Sequence, residues 1–359
     1  MDHVAGMLLG EIAAGHCGGV SAEMLSPPFQ RRLTRVPVLG KPRFAFNADR
    51  LLNRMRDLPK YLGKRRDEFD CFHICDHAYA NVVHTLPAER TGVFCHDLDT
   101  FRCLFEPEKE RRPRWFKTMM RRVLKGLQKA AIVFHTTSEI RRQILAHGIV
   151  DEASVICAPY GVSSVFSPRD DPDRPEAAVL EKLGGAPYLL HVGSCIRRKR
   201  IDVLLDVFGA MRAQHRGVRL LQVGGEWSAE QREQIARLRL EPDVVHAGRQ
   251  DQRVIAGLYR KAVATLLPSD AEGFGLPVIE ALACGCAVVA SDIPPLMEVS
   301  GGAALHCPVG EVEKWAATLD KLISDPAFAP ARGVRLKRAS EFSWLAHART
   351  ICGAYRKMC

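Results

Sequence analysis

The segment best suited to bind a ligand is residues 268–285, which contains two glutamates, Glu272 and Glu280, with seven residues between them. Gly273 and Gly275 follow the first glutamate and allow the backbone to approach a ligand closely. Free N–H groups at the start of a helix attract anions, whereas carboxylates repel phosphate and accept hydrogen bonds from hydroxyl groups. A ligand that carries both phosphate and sugar hydroxyls, such as a nucleotide-sugar, suits both features.

Two short apolar runs flank this segment and predict the strands that position it. Residues 262–267 precede the segment and residues 287–291 follow it, and both runs are typical of buried strands. Pro277 suits the first helical position, and Gly285 suits the residue that stops a helix. The order strand, loop, helix, strand predicts a parallel pair, and open α/β sheets bind ligands at the carboxyl ends of such strands.

The segment from the first glutamate reads Glu272-Gly-Phe-Gly-Leu-Pro-Val-Ile-Glu280-Ala-Leu-Ala-Cys-Gly, and this string resembles the signature of family 4 retaining glycosyltransferases. The resemblance implies an α/β protein of the GT-B class, with two Rossmann-like doubly wound domains facing a cleft. It also implies that Glu280 accepts the ribose hydroxyls of a nucleotide-sugar and that Glu272 contacts the donor sugar. Phe274, Gly275 and Leu276 would offer backbone N–H groups to the sugar and the phosphate.

A basic loop, residues 197–200, follows a predicted strand that ends at Gly193. Arg198 and Lys199 match the Arg-Lys pair that binds the donor diphosphate in the family. Many relatives have an arginine directly after the strand's glycine, whereas this chain has Ser194, which offers a hydrogen bond but no charge. The alternative interpretation is a solvated basic loop without a ligand.

A second polar site is predicted in the first half of the chain, where the apolar residues 92–95 lead into His96 and Asp97. By resemblance, His96 would contact the donor sugar near the reacting bond, although a lone histidine is often structural. Asp97 would orient its neighbours or contact the acceptor. Enzymes of this type are thought to pass the acceptor proton to the leaving phosphate. We therefore expect no carboxylate nucleophile, no cofactor besides the nucleotide-sugar substrate, and no obligatory metal.

The implied activity is transfer of a hexosyl group from a nucleotide-diphosphate sugar to a hydroxyl of a glycan or glycolipid acceptor, in the assembly of cell-surface polysaccharide or lipopolysaccharide. Two alternatives remain at this point. One is a GT-B enzyme that hydrolyses or epimerises nucleotide-sugars. The other is a non-catalytic GT-B scaffold, which the neutral Ser194 would suit. The residues do not identify the sugar, the base (GDP or UDP), the acceptor or the oligomeric state.

The length of 359 residues predicts two domains. We expect an acceptor-side Rossmann-like domain over residues 1–165 and a linker rich in Ser, Asp, Pro and Gly over residues 166–186. A nucleotide-sugar-binding domain would follow over residues 187–340. By resemblance, a helix in residues 341–359 would cross back to the first domain. Further strands of the two domains are predicted by the runs at residues 70–75, 92–98, 130–135, 155–158, 188–193, 218–225 and 244–248.

The start of the chain departs from the expected order of elements. Residues 4–14 predict a helix, and residues 20–25 a following strand. A Rossmann-like domain usually begins with a strand and a glycine-rich turn before its first helix. The first strand of this domain is therefore apparently missing. We expect the native gene to encode roughly 20–40 further residues upstream, the length of a strand with its turn.

The net charge of +10 is concentrated in the first 165 residues, which have 25 Lys and Arg against 18 Asp and Glu. This excess suits an acidic acceptor or peripheral contact with an anionic membrane, and ordinary variation in surface charge is the alternative. Residues 111–129 predict a basic helix in which Trp115, Met119, Val123 and Leu127 form a stripe for core packing. A membrane-facing use of this stripe is the second interpretation. We expect no nucleic-acid partner.

The twelve cysteines include no CxxC pair and no zinc-site spacing. Reduced thiols within a protein core are expected for such a pattern in the cytoplasm. No apolar run reaches the length of a membrane span, and no signal peptide is evident. The expected location is therefore cytoplasmic, with peripheral attachment to the inner face of the membrane as an option.

Overall fold

The computed structural model describes residues 2–36, 43–212 and 214–358, and the chain divides into two α/β units. The first unit combines Met1–Pro159 with Trp344–Cys359, and the second unit is Tyr160–Ser343. Each unit is built on a parallel β-sheet, as the sequence predicts.

The first unit has, among the described residues, a four-stranded parallel sheet in the order β1-β2-β3-β4. The strands are β1 (Phe72–Ile74), β2 (Thr91–Phe94), β3 (Ile132–His135) and β4 (Val155–Cys157). The helices of the chain up to this point are α1 (Asp2–Ala13), α2 (Arg43–Leu52), α3 (Leu58–Lys64), α4 (Arg102–Phe105), α5 (Arg114–Lys129) and α6 (Ser138–Ala146). Every residue of β2 and β3 is buried, which explains why these strands are mostly apolar.

The second unit has a six-stranded parallel sheet in the order β10-β9-β8-β5-β6-β7. Its strands are β5 (Tyr188–Gly193), β6 (Arg219–Gly224), β7 (Val244–His246), β8 (Ala264–Leu267), β9 (Val288–Ser291) and β10 (Leu305–Cys307). Its helices are α7 (Ala177–Glu181), α8 (Ile201–Arg212), α9 (Ala229–Arg237), α10 (Gln252–Lys261), α11 (Leu276–Ala283), α12 (Pro294–Ser300), α13 (Val312–Ser324) and α14 (Arg332–Ser340). The order reverses between β5 and β8, and this is the kind of position where doubly wound sheets bind ligands.

The C-terminal helix, α15 (Trp344–Met358), packs within the first unit. The hydroxyl of Tyr355 donates a hydrogen bond to the Phe72 carbonyl oxygen at 3.0 Å and lies 2.9 Å from Nδ1 of His73. Gly92 in β2 provides the space, because a Cβ at this position would lie 2.3 Å from the Tyr355 hydroxyl oxygen. Glycine at this position therefore lets the helix rest directly on the sheet.

One prediction for the first unit is wrong, because residues 20–25 form no strand. No strand precedes Phe72 in the described ranges 2–36 and 43–71, which agrees with the expectation that the first strand of this domain is missing. Residues 21–24 are exposed, and the Glu23 carboxylate pairs with Arg65 instead. A short segment with apolar residues becomes a strand only where a sheet edge offers its backbone partners.

The stripe predicted on α5 is also only partly correct. Val123 and Leu127 are buried, whereas Trp115 is 61% exposed at the start of the helix and Met120 is buried. Helix α5 begins after Pro113, so Trp115 lies in its first turn. A short helix packs against α5 further along its length. That short helix, the 3₁₀ segment His77–His84, approaches α5 at Gly126.

The segment expected to be a linker packs as part of the second unit. Asp171 accepts two hydrogen bonds from the Arg253 guanidinium at 2.8 Å each, and Asp173 accepts another at 2.7 Å. The buried Glu176 pairs with Lys261 at 3.1 Å. These ion pairs join the segment to α10.

Candidate functional site

The basic loop follows β5 and forms a single 3₁₀ turn, Arg197–Lys199. Lys199 is 9% exposed, whereas Arg197 is exposed to solvent. Arg200 ends the turn in the left-handed conformation, with φ at 48°, and pairs with Asp202 at 2.8 Å. The turn therefore directs Lys199 inward and Arg200 towards α8, so adjacent residues of one charge have different environments.

Arg198 and Lys199 converge on the predicted catalytic glutamate, Glu272. Arg198 lies 3.2 Å from one carboxylate oxygen of Glu272, and the Lys199 ammonium forms an ion pair with the other. Arg198 also donates to the carbonyl oxygen of Ala271 at 2.9 Å. The Ser269 hydroxyl donates to Glu272 at 2.8 Å. Three residues predicted from two separate loops are thus in direct contact.

The charge balance at this cluster keeps Glu272 ionised. Its side chain is only 6% exposed, and burial acts to raise its pKa. The positive charges of Lys199 and Arg198 outweigh this effect, and the pKa of Glu272 falls below its ordinary value. Two cations and one carboxylate leave a net positive charge, which suits a phosphate group more than a neutral ligand.

The helix α11 begins where the glycine-rich loop ends. Gly275 precedes its first residue with φ at 93°, and a Cβ there would lie 2.5 Å from Cδ2 of Leu296. The Phe274 side chain is buried, with its ring 5.1 Å from that of Tyr160 and 5.6 Å from that of Phe342. This packing anchors the loop and places the main chain of Phe274, Gly275 and Leu276 at the positive end of the helix.

Glu280 lies on α11 in a different environment from Glu272. The hydroxyl of the fully buried Tyr259 donates a hydrogen bond to the Glu280 carboxylate at 3.4 Å. Burial raises the pKa of Glu280 to about 7, although the Tyr259 hydrogen bond acts to lower it. Glu280 can therefore change protonation state near neutral pH, in contrast to the ion-paired Glu272.

Gly193 and Ser194 form the turn at the end of β5, directly against the loop after β6. The Gly193 carbonyl oxygen accepts hydrogen bonds from the Gly225 N–H at 3.0 Å and from Nε2 of Gln222 at 3.1 Å. Gly224 has φ at 126°, and a Cβ there would lie 2.3 Å from that same oxygen. Ser194 itself is exposed. The backbone of the turn is fixed while the serine side chain remains accessible.

Two residues of this site were missed by the sequence analysis. Ser269 lies two residues after the end of β8 and is 1% exposed, and its signal was a polar residue close behind the apolar strand. His191, in the middle of β5, is 1% exposed, and burial together with Lys199 lowers its pKa to about 3. A neutral histidine beneath the cations adds no further charge to the site.

The polar site of the first unit lies at the carboxyl ends of β1 and β2. Nε2 of His96 lies 2.7 Å from the Cys75 carbonyl oxygen, and the carboxylate of Asp97 accepts the Asp99 N–H at 3.1 Å. Burial and the neighbouring His77 lower the pKa of His96, which favours the neutral ring. The sequence analysis missed Asp76 and His77, which follow β1 just as His96 and Asp97 follow β2.

No helix within residues 2–36, 43–212 and 214–358 is long and apolar enough to cross a membrane. The same described residues contain no group of three or more His, Cys, Asp or Glu side chains placed to hold a metal ion.

Comparison with known proteins identifies a family match in the second unit. Residues 173–340 match the family model described as glycosyl transferases group 1. The O-antigen chain mannosyltransferase B of Escherichia coli is 27% identical, with 84% of this chain aligned to 81% of that protein. The D-inositol 3-phosphate glycosyltransferase of Kineococcus radiotolerans is 32% identical, and the chain covers 57% of its length.

Solved structures of similar fold cover most of the chain. The sucrose-phosphate synthase from Thermosynechococcus elongatus superposes with a TM-score of 0.76 at 22% identity, over 98% of this chain and 91% of that one. Anabaena HepE, solved in complex with UDP, gives a TM-score of 0.68 at 18% identity over 86% and 84% of the two chains. The α/β architecture with two parallel sheets is therefore shared with glycosyltransferases of the GT-B class.

Proposed function

We propose that this chain, whose residues 173–340 match the model of the glycosyl transferases group 1, moves a sugar from a nucleotide-diphosphate sugar to a hydroxyl group with retention of configuration. The acceptor would be a glycan or glycolipid in the assembly of cell-surface polysaccharide. The name of its Escherichia coli relative, an O-antigen chain mannosyltransferase, supports this acceptor class. The observation that carries the proposal is the convergence of Arg198 and Lys199 on the buried Glu272.

Arg198 and Lys199 would stabilise the charge that develops on the leaving diphosphate. Preorganised positive groups of this kind contribute strongly because they need no reorganisation during the reaction. Glu272 would hold the two cations in place and offer its carboxylate to the donor sugar. The acceptor proton would pass to the leaving phosphate, so the mechanism needs no separate carboxylate base.

Glu280 would accept hydrogen bonds from the ribose hydroxyls of the donor. The ionised carboxylate is the better acceptor, and the pKa of about 7 means that a substantial fraction is protonated in the free protein at neutral pH. Donor binding would then favour loss of this proton. We expect nucleotide affinity to increase as the pH rises from about 6 to 8.

The donor can be found by measuring thermal stability with a panel of UDP-glucose, UDP-N-acetylglucosamine and GDP-mannose. A UDP-bound structural relative supports the uridine nucleotides, and a mannosyltransferase relative supports including GDP-mannose. A nucleotide-sugar that binds is then assayed for nucleotide release with and without a glycan acceptor. Release that requires acceptor supports the transferase. Release without acceptor, or isomerised sugar, would identify a hydrolase or epimerase, and absence of binding would identify a scaffold.

We also propose that α5 brings the first unit to an anionic membrane, where a lipid-linked acceptor would be found. The helix carries only basic charges, including Arg114, Arg121 and Lys125, and the exposed Trp115 adds an aromatic side chain suited to the interface. Sedimentation with vesicles of phosphatidylglycerol and phosphatidylcholine tests this contact. Binding that persists unchanged in the double variant Trp115→Ala, Arg121→Glu would show that α5 is not the contact.

A further inference from the structure

The carboxyl ends of β1 and β2 bring together two histidines and two aspartates. Asp76 and His77 follow β1, and His96 and Asp97 follow β2. Nδ1 of His77 lies 3.5 Å from the Asp76 carboxylate, and Nε2 of His77 lies 3.7 Å from the Asp97 carboxylate. The rings of the two histidines are 6.0 Å apart in an edge-on arrangement. His77 therefore lies at the centre of the cluster.

His77 connects the end of one strand to the loop that follows the other. It is 3% exposed, and its Nδ1 accepts a hydrogen bond from the backbone N–H of His96 at 3.3 Å. Its Nε2 lies 3.1 Å from the hydroxyl of Thr100. Both ring nitrogens of His77 thus engage the segment that carries His96 and Asp97.

These contacts determine which nitrogen of the His77 ring carries the proton. A nitrogen that accepts an N–H bond cannot carry a hydrogen itself, so Nδ1 is the acceptor and Nε2 is the donor. Nε2 then donates to Thr100. Asparagine can place an oxygen near the position of Nδ1, whereas phenylalanine fills the same space without an acceptor.

The ring of His96 is fixed independently at its own Nε2. The Cys75 carbonyl oxygen can only accept, so Nε2 of His96 donates to it at 2.7 Å. The main chain of His96 is fixed through His77, one residue after Asp76. The position of His96 therefore depends on two contacts from the segment after β1: the Cys75 carbonyl oxygen holds the ring, and Nδ1 of His77 holds the backbone N–H.

We propose that His77 is a positioning residue that holds the main chain at His96 and thereby sets where the His96 ring meets the substrate. The inference rests on the proposed transferase function for its kinetic consequence, but the structural role of His77 can be tested without any substrate. Asp76 supports the arrangement by accepting the Ala78 N–H at 2.8 Å, which caps the 3₁₀ helix that begins at His77.

His84 provides a matched control in the same 3₁₀ helix, His77–His84. Its Nε2 lies 2.9 Å from the Arg122 carbonyl oxygen on α5, so this histidine also joins the helix to another element. Within the part of the chain that the structure describes, His84 makes no hydrogen bond to the loop that carries His96. If His77 served only to hold the helix in place, His77→Phe and His84→Phe would have similar consequences.

The direct test is hydrogen–deuterium exchange of the full-length protein, read at the peptide that contains residues 95–101. In His77→Phe the His96 amide within this peptide should exchange about tenfold faster, because its N–H loses its acceptor. The wild-type rate should largely return in His77→Asn and remain in His84→Phe. Unchanged exchange in His77→Phe, or equal acceleration in Phe and Asn variants, would overturn the proposal.

The kinetic test uses nucleotide release from whichever of UDP-glucose, UDP-N-acetylglucosamine and GDP-mannose the wild type consumes. His77→Phe should lower kcat about 100-fold, since a small displacement of a catalytic group has effects of this size. The KM for the donor should stay within about twofold of the wild-type value. The kcat of His77→Asn should be at least about tenfold higher than that of His77→Phe. A raised KM with unchanged kcat would contradict the positioning role. If the wild type consumes none of these donors, the proposed function fails, while the exchange result still decides the role of His77.

Discussion

The loop before α11 and the helix itself each carry one glutamate, and the two carboxyl groups have opposite electrostatic environments. Glu272 lies between Arg198 and Lys199, and these cations lower its pKa despite burial. Glu280 has Tyr259 as its neighbour, and burial raises its pKa to about 7. The difference shows that burial alone favours the neutral acid and that nearby cations reverse this preference.

The same motif therefore contains a carboxylate with a permanent charge and one that exchanges a proton. Glu272 organises two cations that would meet the diphosphate, which is a task for a fixed charge. Glu280 would meet neutral hydroxyl groups, and its charge is needed only when they are present. The whole string from Glu272 to Gly285 identifies the motif, but only the neighbouring side chains separate the roles of its two glutamates.

The largest effect is expected from removing a cation from Glu272. Lys199→Ala should lower the rate of sugar transfer about 100- to 1000-fold, because a preorganised group facing the leaving phosphate is lost. It should also lower the free energy of unfolding by about 3 kcal/mol, because the buried Glu272 keeps only Arg198 as a cationic partner. Transfer kinetics and urea unfolding measure the two effects.

Arg200→Ala is the control for this prediction. Arg200 is the next residue along the chain, but it pairs with the exposed Asp202. Surface pairs of this kind contribute about 0–1 kcal/mol, so we expect little change in rate or stability. Equal losses in the Lys199→Ala and Arg200→Ala variants would show that the loop acts as diffuse charge.

The second effect concerns nucleotide binding at Glu280. Glu280→Ala should weaken the affinity for the preferred nucleotide about 10- to 100-fold, because two ribose hydroxyls lose an acceptor and hydrogen bonds to charged groups contribute about 1.5–3 kcal/mol. Calorimetry measures the affinity, and circular dichroism checks that the fold is intact. A folded variant with wild-type affinity would rule out the ribose role.

The pH dependence of stability should differ in sign between the two glutamates. Because its pKa is raised, Glu280 contributes fully to the stability of the fold at pH values below about 4.3, its pKa in the unfolded chain. This contribution is lost as the pH rises to about 7, the pKa of Glu280 in the folded protein. The lowered pKa of Glu272 gives a contribution that is present above about pH 4.3 and is lost on acidification.

Glu280→Gln should therefore gain about 1–3 kcal/mol relative to wild type between pH 4 and pH 8. Glu272→Gln should be less stable than wild type above about pH 4.3, and the difference should shrink as the pH falls below that value. Denaturant unfolding at several pH values gives both curves. If the two differences changed in the same direction with pH, the contrast between the two environments would be incorrect.

The smallest effect is expected at the glycine between the two glutamates. Gly275→Ala places a Cβ 2.5 Å from Leu296 at a φ of 93°, and we expect a loss of about 1–2 kcal/mol in unfolding free energy. Gly333→Ala is the control, because a Cβ there meets no atom within 4 Å in α14. Similar melting temperatures for the two variants would show that the loop before α11 adapts without strain.

The second unit was predicted well because its pattern is local. The predicted strand of residues 188–193 is observed as Tyr188–Gly193, and the parallel pair around the motif is observed as β8 and β9. Apolar runs that end in glycine indicate such strands directly. The contact between Lys199 and Glu272 was not predicted, since no local pattern relates residues so far apart in sequence. The resemblance placed each residue at the donor site separately.

The first unit was predicted less completely because its polar site is assembled from several short segments. His77 carries the same signal as His96, a polar pair directly after an apolar strand, but a buried histidine is usually structural and the resemblance did not include it. The exposure of Trp115 was missed because helical periodicity does not show where the covering segment stops. Such features depend on tertiary packing, which the sequence pattern does not contain.

The close approach of Gly224 to Gly193 has a consequence for mutational tolerance at the donor site. A saturation library at Gly224 should yield almost no functional members, because every side chain adds a Cβ that would meet the Gly193 carbonyl oxygen. Ser194, the residue after Gly193, is exposed and should accept most substitutions. Directed evolution of donor preference would therefore be most productive at Ser194, where a basic residue adds charge to the turn without disturbing the backbone that supports it.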